Sequence, residues 1–210
     1  MKDLFGDLED LGDLFGHDIP MREVETTHKI SPRKLALQNK RAMISKMKKE
    51  KAHRVLEALP APGEALHIVS NGAFNYWNFV PLIAELSPSP VKDCYFSTWT
   101  MNRDCTIELL ALLDEGKLER VSLITGLYFK RREAAVYSHL VLGLSKRGMR
   151  LRSLENHAKI ALMAAPPNYY VMEGSANFTN NPRIEQNVIT NDEDLWRFHA
   201  EWIEEVLNAE

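Results

Sequence analysis

Two hydrophobic rhythms alternate along most of this chain. From Glu64 onward, short apolar runs of strand type are followed by longer stretches of helical period. ALHIVS reads as a strand, NYWNFVPLIAEL as a helix with Pro81 in its early turn, and DCYFSTWT as a β-rich run. Asn102 stands where a helix cap belongs, ahead of RDCTIELLALLDEG. There Ile107, Leu110 and Leu113 recur at helical spacing, and Gly116 lies just past the end. ERVSLITG predicts a buried strand, and KRREAAVYSHLVLGLSKRG a helix stopped by Gly148. MRLRSL, HAKIALM, NYYVMEG and IEQNVIT predict four more strands, and Asp192 opens a closing amphipathic helix, EDLWRFHAEWIEEVL. The order β-α-β-α-β-α-β-β-β-β-α predicts an α/β fold: a mixed, largely parallel sheet flanked by helices, with right-handed crossovers.

The pattern is different upstream. SPRKLALQNKRAMISKMKKEKAHRVLEAL opens with Ser31 as a cap and Pro32 in the first turn, and it predicts a helical N-terminal extension. Its apolar stripe is imperfect, and Lys34, Lys40, Arg41, Lys46, Lys48, Lys49 and Lys51 charge the rest. Two readings stay open, contact with a phosphate backbone or a solvated helix face. Pro60, Pro62 and Gly63 then break the chain. Before the basic stretch, LFGDLEDLGDLFG mixes acidic residues with Leu and Phe, the composition of a flexible tail or of a peptide that docks on a protein partner. The expected divisions are an acidic tail over 1–27, a basic helical extension and linker over 28–62, and the α/β domain over 63–210.

Composition narrows the function. The 210 residues are 45% hydrophobic, enough for a real core, and the formal net charge is −3. Such a balance gives no whole-molecule attraction to nucleic acid, so polyanion binding would need a local patch. Cys94 and Cys105 make no disulfide framework and lack metal-ligand spacing; His28, His53 and His67 are scattered. No metal and no cofactor are expected. No G-x-x-x-x-G-K-[ST] loop supports nucleotide-driven chemistry. With neither a leader pattern nor an apolar run of roughly 18 residues, the expectation is a cytoplasmic protein that does not enter membranes.

One segment concentrates chemistry: ENHAKIALMAAPPNYYVMEGSANFTNNPRIEQNVI. His157 and Lys159 stand two apart on a presumed strand, so they share a face. Ser175 and Asn177 stand two apart after the next strand, behind Gly174. If the two strands pair as a hairpin, an imidazole, an ammonium, a hydroxyl and a carboxamide converge at one end of the sheet. That set suits a phosphodiester. The imidazole can attack phosphorus, the ammonium neutralises a non-bridging oxygen, and Ser and Asn donate to developing charge.

HAK…GSANF resembles the H-x-K…G-S-x-N signature of the phospholipase D superfamily, and roughly Glu64 to Leu207 is similar to its small one-repeat nucleases. The resemblance implies a metal-independent, two-step reaction through a phosphohistidine, with a second His protonating the leaving oxygen. By the resemblance His157 is nucleophile or acid, and Lys159, Ser175 and Asn177 hold phosphate. Glu185 matches the carboxylate that orients the imidazole, with Glu173 a weaker candidate. Because the chain has one H-x-K, the site is expected to be shared across a homodimer; His139 and His199 read as surface or boundary residues. The chain departs from the family pattern where an Asp is usual five residues past the Lys. Ala164 stands there, and the AAPPN loop lengthens the hairpin slightly.

Trp99, in a region with Phe74, Tyr76, Trp77 and Phe96, stacks on bases or packs in the core. Lys130, Arg131 and Arg132, just after a strand, contact phosphate or cap a solvated helix start. SNGAFNYW, after the first strand, would line the cleft. The expected function is a metal-independent phosphodiesterase, a nuclease, with its site shared across a homodimer; the alternative is a weak or inactive nucleic-acid-binding adaptor that keeps the fold.

Overall fold

A computed structural model describes residues 31–209 of the protein. The chain divides into two units at Met43–Ile44, and the fold and the site lie in the second. The acidic segment read as a tail lies outside the described residues. Helix α1 (Ser31–Val55) crosses the division, and its later residues Ala52 and the following Leu56 are fully buried in the core of the second unit.

Seven strands form one sheet: β1 (Ala65–Ser70), β2 (Val91–Thr98), β3 (Leu118–Gly126), β4 (Arg150–Leu154), β5 (Ile160–Ala165), β6 (Asn168–Gly174) and β7 (Glu185–Asn191). Their order is β1-β7-β6-β5-β2-β3-β4. The helices are α2 (Phe79–Leu86), α3 (Arg103–Asp114), α4 (Leu127–Arg132), α5 (Ala134–Ser145) and α6 (Glu193–Asn208). One turn of 3-10 helix, Tyr76–Asn78, leads into α2. The sheet is mixed and flanked by helices, as the alternation implies. Its balance is the reverse of largely parallel: β2-β3 and β3-β4 are parallel, and the pairs β1-β7, β7-β6, β6-β5 and β5-β2 are antiparallel. The cause is local. After β4 the chain has too few residues between strands for crossover helices, so it folds back on itself.

Helix ends follow their sequence signals. The Asn102 side chain accepts from Cys105 N at 2.9 Å and Asp192 from Leu195 N at 2.8 Å, each satisfying a donor the first turn leaves open. The run expected as a single helix before Gly148 is divided at Glu133 into α4 and α5. The β5–β6 hairpin is tighter than expected: Ala165 pairs with Asn168, leaving Pro166-Pro167 as a two-residue turn.

A large core covers one face of the sheet, and a smaller one lies on the other face, under α6. Phe74, Tyr76, Trp77 and Phe96 belong to the large core, each at most 5% exposed, with the Trp77 and Phe178 rings edge to face at 5.1 Å. Burying each such side chain contributes about 1.5–3 kcal/mol. Among the described residues no helix is long and apolar enough to cross a membrane.

Candidate active site

The strand pairings set where the chemistry falls. β5 runs against β2, β6 against β5, and β7 against β6. The ends of β2, β3 and β6 and the starts of β5 and β7 therefore share one edge of the sheet. His157, Lys159, Ser175, Asn177 and Glu185 all lie at that edge.

β5 begins at Ile160, so His157 and Lys159 precede the strand rather than lie on it. Their segment is fixed by side chains instead of a full ladder. Asn156 Nδ2 donates to Ser97 Oγ at 3.0 Å, and Asn156 Oδ1 accepts from Ala158 N at 3.1 Å. Ser97 is fully buried, so the bend carrying His157 is anchored on β2. The single ladder-like bond at this level joins Gly174 N to Lys159 O at 3.3 Å.

Lys159 is 7% exposed while His157 is exposed. The Lys159 Nζ lies 2.8 Å from His157 Nδ1 and also donates to the His157 carbonyl. Burial pushes the Lys159 ammonium below the ordinary lysine value, and the Glu185 carboxylate partly restores it. While Lys159 is an ammonium, Nδ1 must accept, so a neutral imidazole carries its proton on Nε2.

Ser175 Oγ donates to Glu185 Oε2, and Asn181 Nδ2 donates to Glu185 Oε1. Glu185 makes no hydrogen bond or ion pair with His157 among the described residues. Asn177 Oδ1 accepts from Trp99 N at 3.2 Å, which ties the G-S-x-N segment to the end of β2. Glu173, the weaker candidate for orienting His157, meets His199 Nε2 at 3.3 Å instead. His199 is buried at 7% exposure rather than at the surface, whereas His139 is exposed.

Trp99 departs from the other aromatic residues of its region in being partly exposed, with its ring 5.7 Å from that of His157. Lys130, Arg131 and Arg132 are exposed on α4 and enter no ion pair among the described residues. Gly72 of SNGAFNYW packs on the segment before β7, where a Cβ would come 2.7 Å from Pro182 Cα.

Two residues escaped the sequence reading. Asn187 is 1% exposed, and neither atom of its side-chain amide has a hydrogen-bond partner among the described residues. It lies over Gly174, where a Cβ would come 2.1 Å from Asn187 Oδ1. The glycine is required by this close approach. Tyr128 stacks on Trp99; its place in LYFKRRE, between a strand and a basic run, was the available signal. Among the described residues, no group of three or more His, Cys, Asp or Glu side chains could hold a metal ion.

No protein-family model matches the chain, and no curated protein matches it. Solved structures do. The chain is similar to polyphosphate kinase from Porphyromonas gingivalis, with a TM-score of 0.51 and 16% identity, over 69% of this chain and 26% of that one. It is also similar to NucT from Helicobacter pylori, with a TM-score of 0.50 and 13% identity, over 68% of this chain and 95% of that one. The chain thus spans about a quarter of the kinase. These likenesses show that the fold is phospholipase D-like.

Proposed function

We propose that the protein is a metal-independent phosphodiesterase, a nuclease, whose site is completed by a second copy of the chain. The observation that carries this reading is the buried Lys159 ammonium held 2.8 Å from the exposed His157 imidazole at the sheet edge. An ammonium kept in place despite burial has a use for its charge, and a phosphoryl oxygen supplies the compensating one.

One imidazole attacks phosphorus and the P–O bond to the leaving group breaks. A second histidine, as the imidazolium, gives its proton to the departing oxygen and becomes neutral. Water, passing a proton to that neutral ring, then attacks phosphorus, and the P–N bond breaks to free the first imidazole. Lys159, Ser175 and Asn177 hold the non-bridging oxygens. The acid role needs the imidazolium, which carries a proton on both ring nitrogens. The nucleophilic role needs Nδ1 to donate, and Glu185 is engaged with Ser175 and Asn181 of its own chain rather than with His157. Two copies about a two-fold axis supply both imidazoles, with the partner's Glu185 as the acceptor for Nδ1. Trp99, Lys130, Arg131 and Arg132 contact the substrate, and the basic residues of α1 add phosphate contacts.

The missing Asp at Ala164, which taken alone favours the adaptor, lies away from the sheet edge. Ala164 is 3% exposed and pairs with Asp93 and Tyr169. Five residues of extended chain put it roughly 16 Å from Lys159. Loss of the family's Asp there alters the packing of β5 and leaves the sheet edge intact.

The test is incubation with single- and double-stranded DNA in EDTA, comparing wild type with His157→Ala. Cleavage that survives chelation and depends on His157 supports the reading. EDTA-abolished cleavage, or wild-type rates in His157→Ala, would favour the adaptor. A strictly monomeric mass with activity retained would remove the shared site.

A further inference from the structure

Trp99 is held by its backbone on both sides. Its N–H donates to Asn177 Oδ1 at 3.2 Å, and its carbonyl accepts from Gly126 N at 3.2 Å. Its ring lies over Gly126, where a Cβ would come 2.5 Å from Trp99 Cδ1. The indole stacks on Tyr128 with centroids 4.2 Å apart and planes at 22°. His157 lies 5.7 Å away at a tilt of 54°, and the Arg132 guanidinium lies 5.9 Å from the Tyr128 centroid. His157, Trp99, Tyr128 and Arg132 therefore form one contiguous series beside the candidate site.

A stack formed for stability would be closed over, as Trp77 and Phe178 are at 1% and 0% exposure. Tyr128 is 41% exposed in the first turn of α4 and belongs to neither core. Arg132 sits far enough from the ring to swing aside or to close on something placed there. Exposed aromatic faces beside cations that enter no ion pair among the described residues match a π-faced group joined to phosphate.

We propose that Trp99 and Tyr128 form a stacking platform for the base of a nucleotide next to the scissile phosphate, which makes single-stranded nucleic acid the substrate class. The proposal rests on the phosphodiesterase reading for its placement beside the scissile bond. In a duplex both faces of each internal base are covered by neighbours, and a base must leave the stack before it can meet Tyr128. An unpaired strand offers that face without the cost. Lys130 and Arg131, on the same short helix, take the flanking phosphates, and Arg132 closes over the bound base.

The experiment uses the full chain and single-stranded DNA oligonucleotides, intact or with one abasic site moved along the strand. Both binding and cleavage are measured. Wild type should lose about 10- to 100-fold in affinity and in kcat/KM when the abasic site falls at one position beside the cut, and much less elsewhere. Tyr128→Ala should erase most of that difference, and Tyr128→Phe should restore it, because phenylalanine keeps the ring. A matching duplex should be bound and cut more slowly than the single strand. Equal handling of intact and abasic strands by wild type, or the same abasic penalty in Tyr128→Ala, would overturn the platform. If no strand is cleaved in a His157-dependent way, the enzyme reading fails, and the binding measurements still decide whether Tyr128 meets a base.

Discussion

Two histidines meet the β5–β6 hairpin from different elements, and the protein treats them in opposite ways. His199 comes from α6 and is buried. Its Nδ1 accepts from Trp202 Nε1 at 3.0 Å, and its Nε2 meets Glu173 at 3.3 Å. Both ring nitrogens are occupied by the fold. His157 precedes β5 and is exposed. Its Nδ1 faces Lys159, and its Nε2 has no partner among the described residues. A histidine that serves structure has no nitrogen to spare, whereas one that serves chemistry must keep one free. The neighbours differ to match: a carboxylate and an indole in one region, a buried ammonium in the other.

That contrast is broken most directly by exchanging the losses. His157→Ala should lower phosphodiester cleavage by at least about 10³-fold, since it removes a proton-transfer or attacking group. Its urea midpoint should stay close to wild type. His199→Ala should do the reverse, costing about 1–3 kcal/mol of stability by removing a buried side chain and the acceptor of Trp202 Nε1, with cleavage within a few-fold of wild type at temperatures where it is folded. A dead but stable His199→Ala would mean that the two histidines had been assigned the wrong way round.

Next in size is Lys159→Ala. Loss of a charged donor to a phosphoryl oxygen in a partly dry site should reduce kcat by about 10²–10³-fold. A change confined to KM would instead make Lys159 a binding contact that is equal in ground and transition states.

The sequence pattern carried most of this comparison but not its geometry. All seven strands and the closing helix were legible, because alternation and capping are local properties: Asn102 and Asp192 cap where their positions suggested. The H-x-K and G-S-x-N spacings placed the site at one edge before any pairing was known. The sheet's antiparallel majority was less legible, because strand direction depends on which neighbour a strand finds. His199 escaped as well: its pairing with Glu173 joins residues 26 apart in sequence, and no spacing rule links the two. Asn187 and Tyr128 act through neighbours on other elements, which a spacing rule does not register.

Gly174 sharpens the same contrast on a smaller scale, since it separates Glu173, turned to His199, from Ser175, bound to Glu185. Gly174→Ala places a methyl group where the Asn187 amide lies. Overpacking of that kind should cost about 1–3 kcal/mol, read as a lower urea midpoint. The double variant with Asn187→Ala should recover part of the loss. If Gly174→Ala is as stable as wild type, the amide is free to move aside and the close approach has no structural weight.

The smallest effect expected is the part of the pH slope in stability that Lys159 contributes. Burial holds its ammonium below the ordinary value of 10.5. At pH values below the folded-state pKa, both folded and unfolded chains keep the proton, and the full cost of the buried charge is present. Between the folded-state pKa and 10.5 the unfolded chain binds more protons, so this group makes stability rise with pH. Above 10.5 the cost is gone. Lys48 is shifted in the same direction, again chiefly by burial, and contributes a slope of the same sign. Burial raises the Cys94, Cys105, Tyr76, Tyr95 and Tyr170 pKa values, and these groups make stability fall with pH in the same range. The Lys159 slope is therefore read as a difference, and the urea midpoint of wild type should gain on that of Lys159→Met as pH rises. Cleavage should move the other way through the same window, falling as Lys159 loses the proton that neutralises the phosphoryl oxygen. A wild-type midpoint that gains nothing on Lys159→Met across that window would show that the Lys159 charge is no burden on the fold, and the contrast between a costly pair at His157 and a satisfied one at His199 would no longer hold.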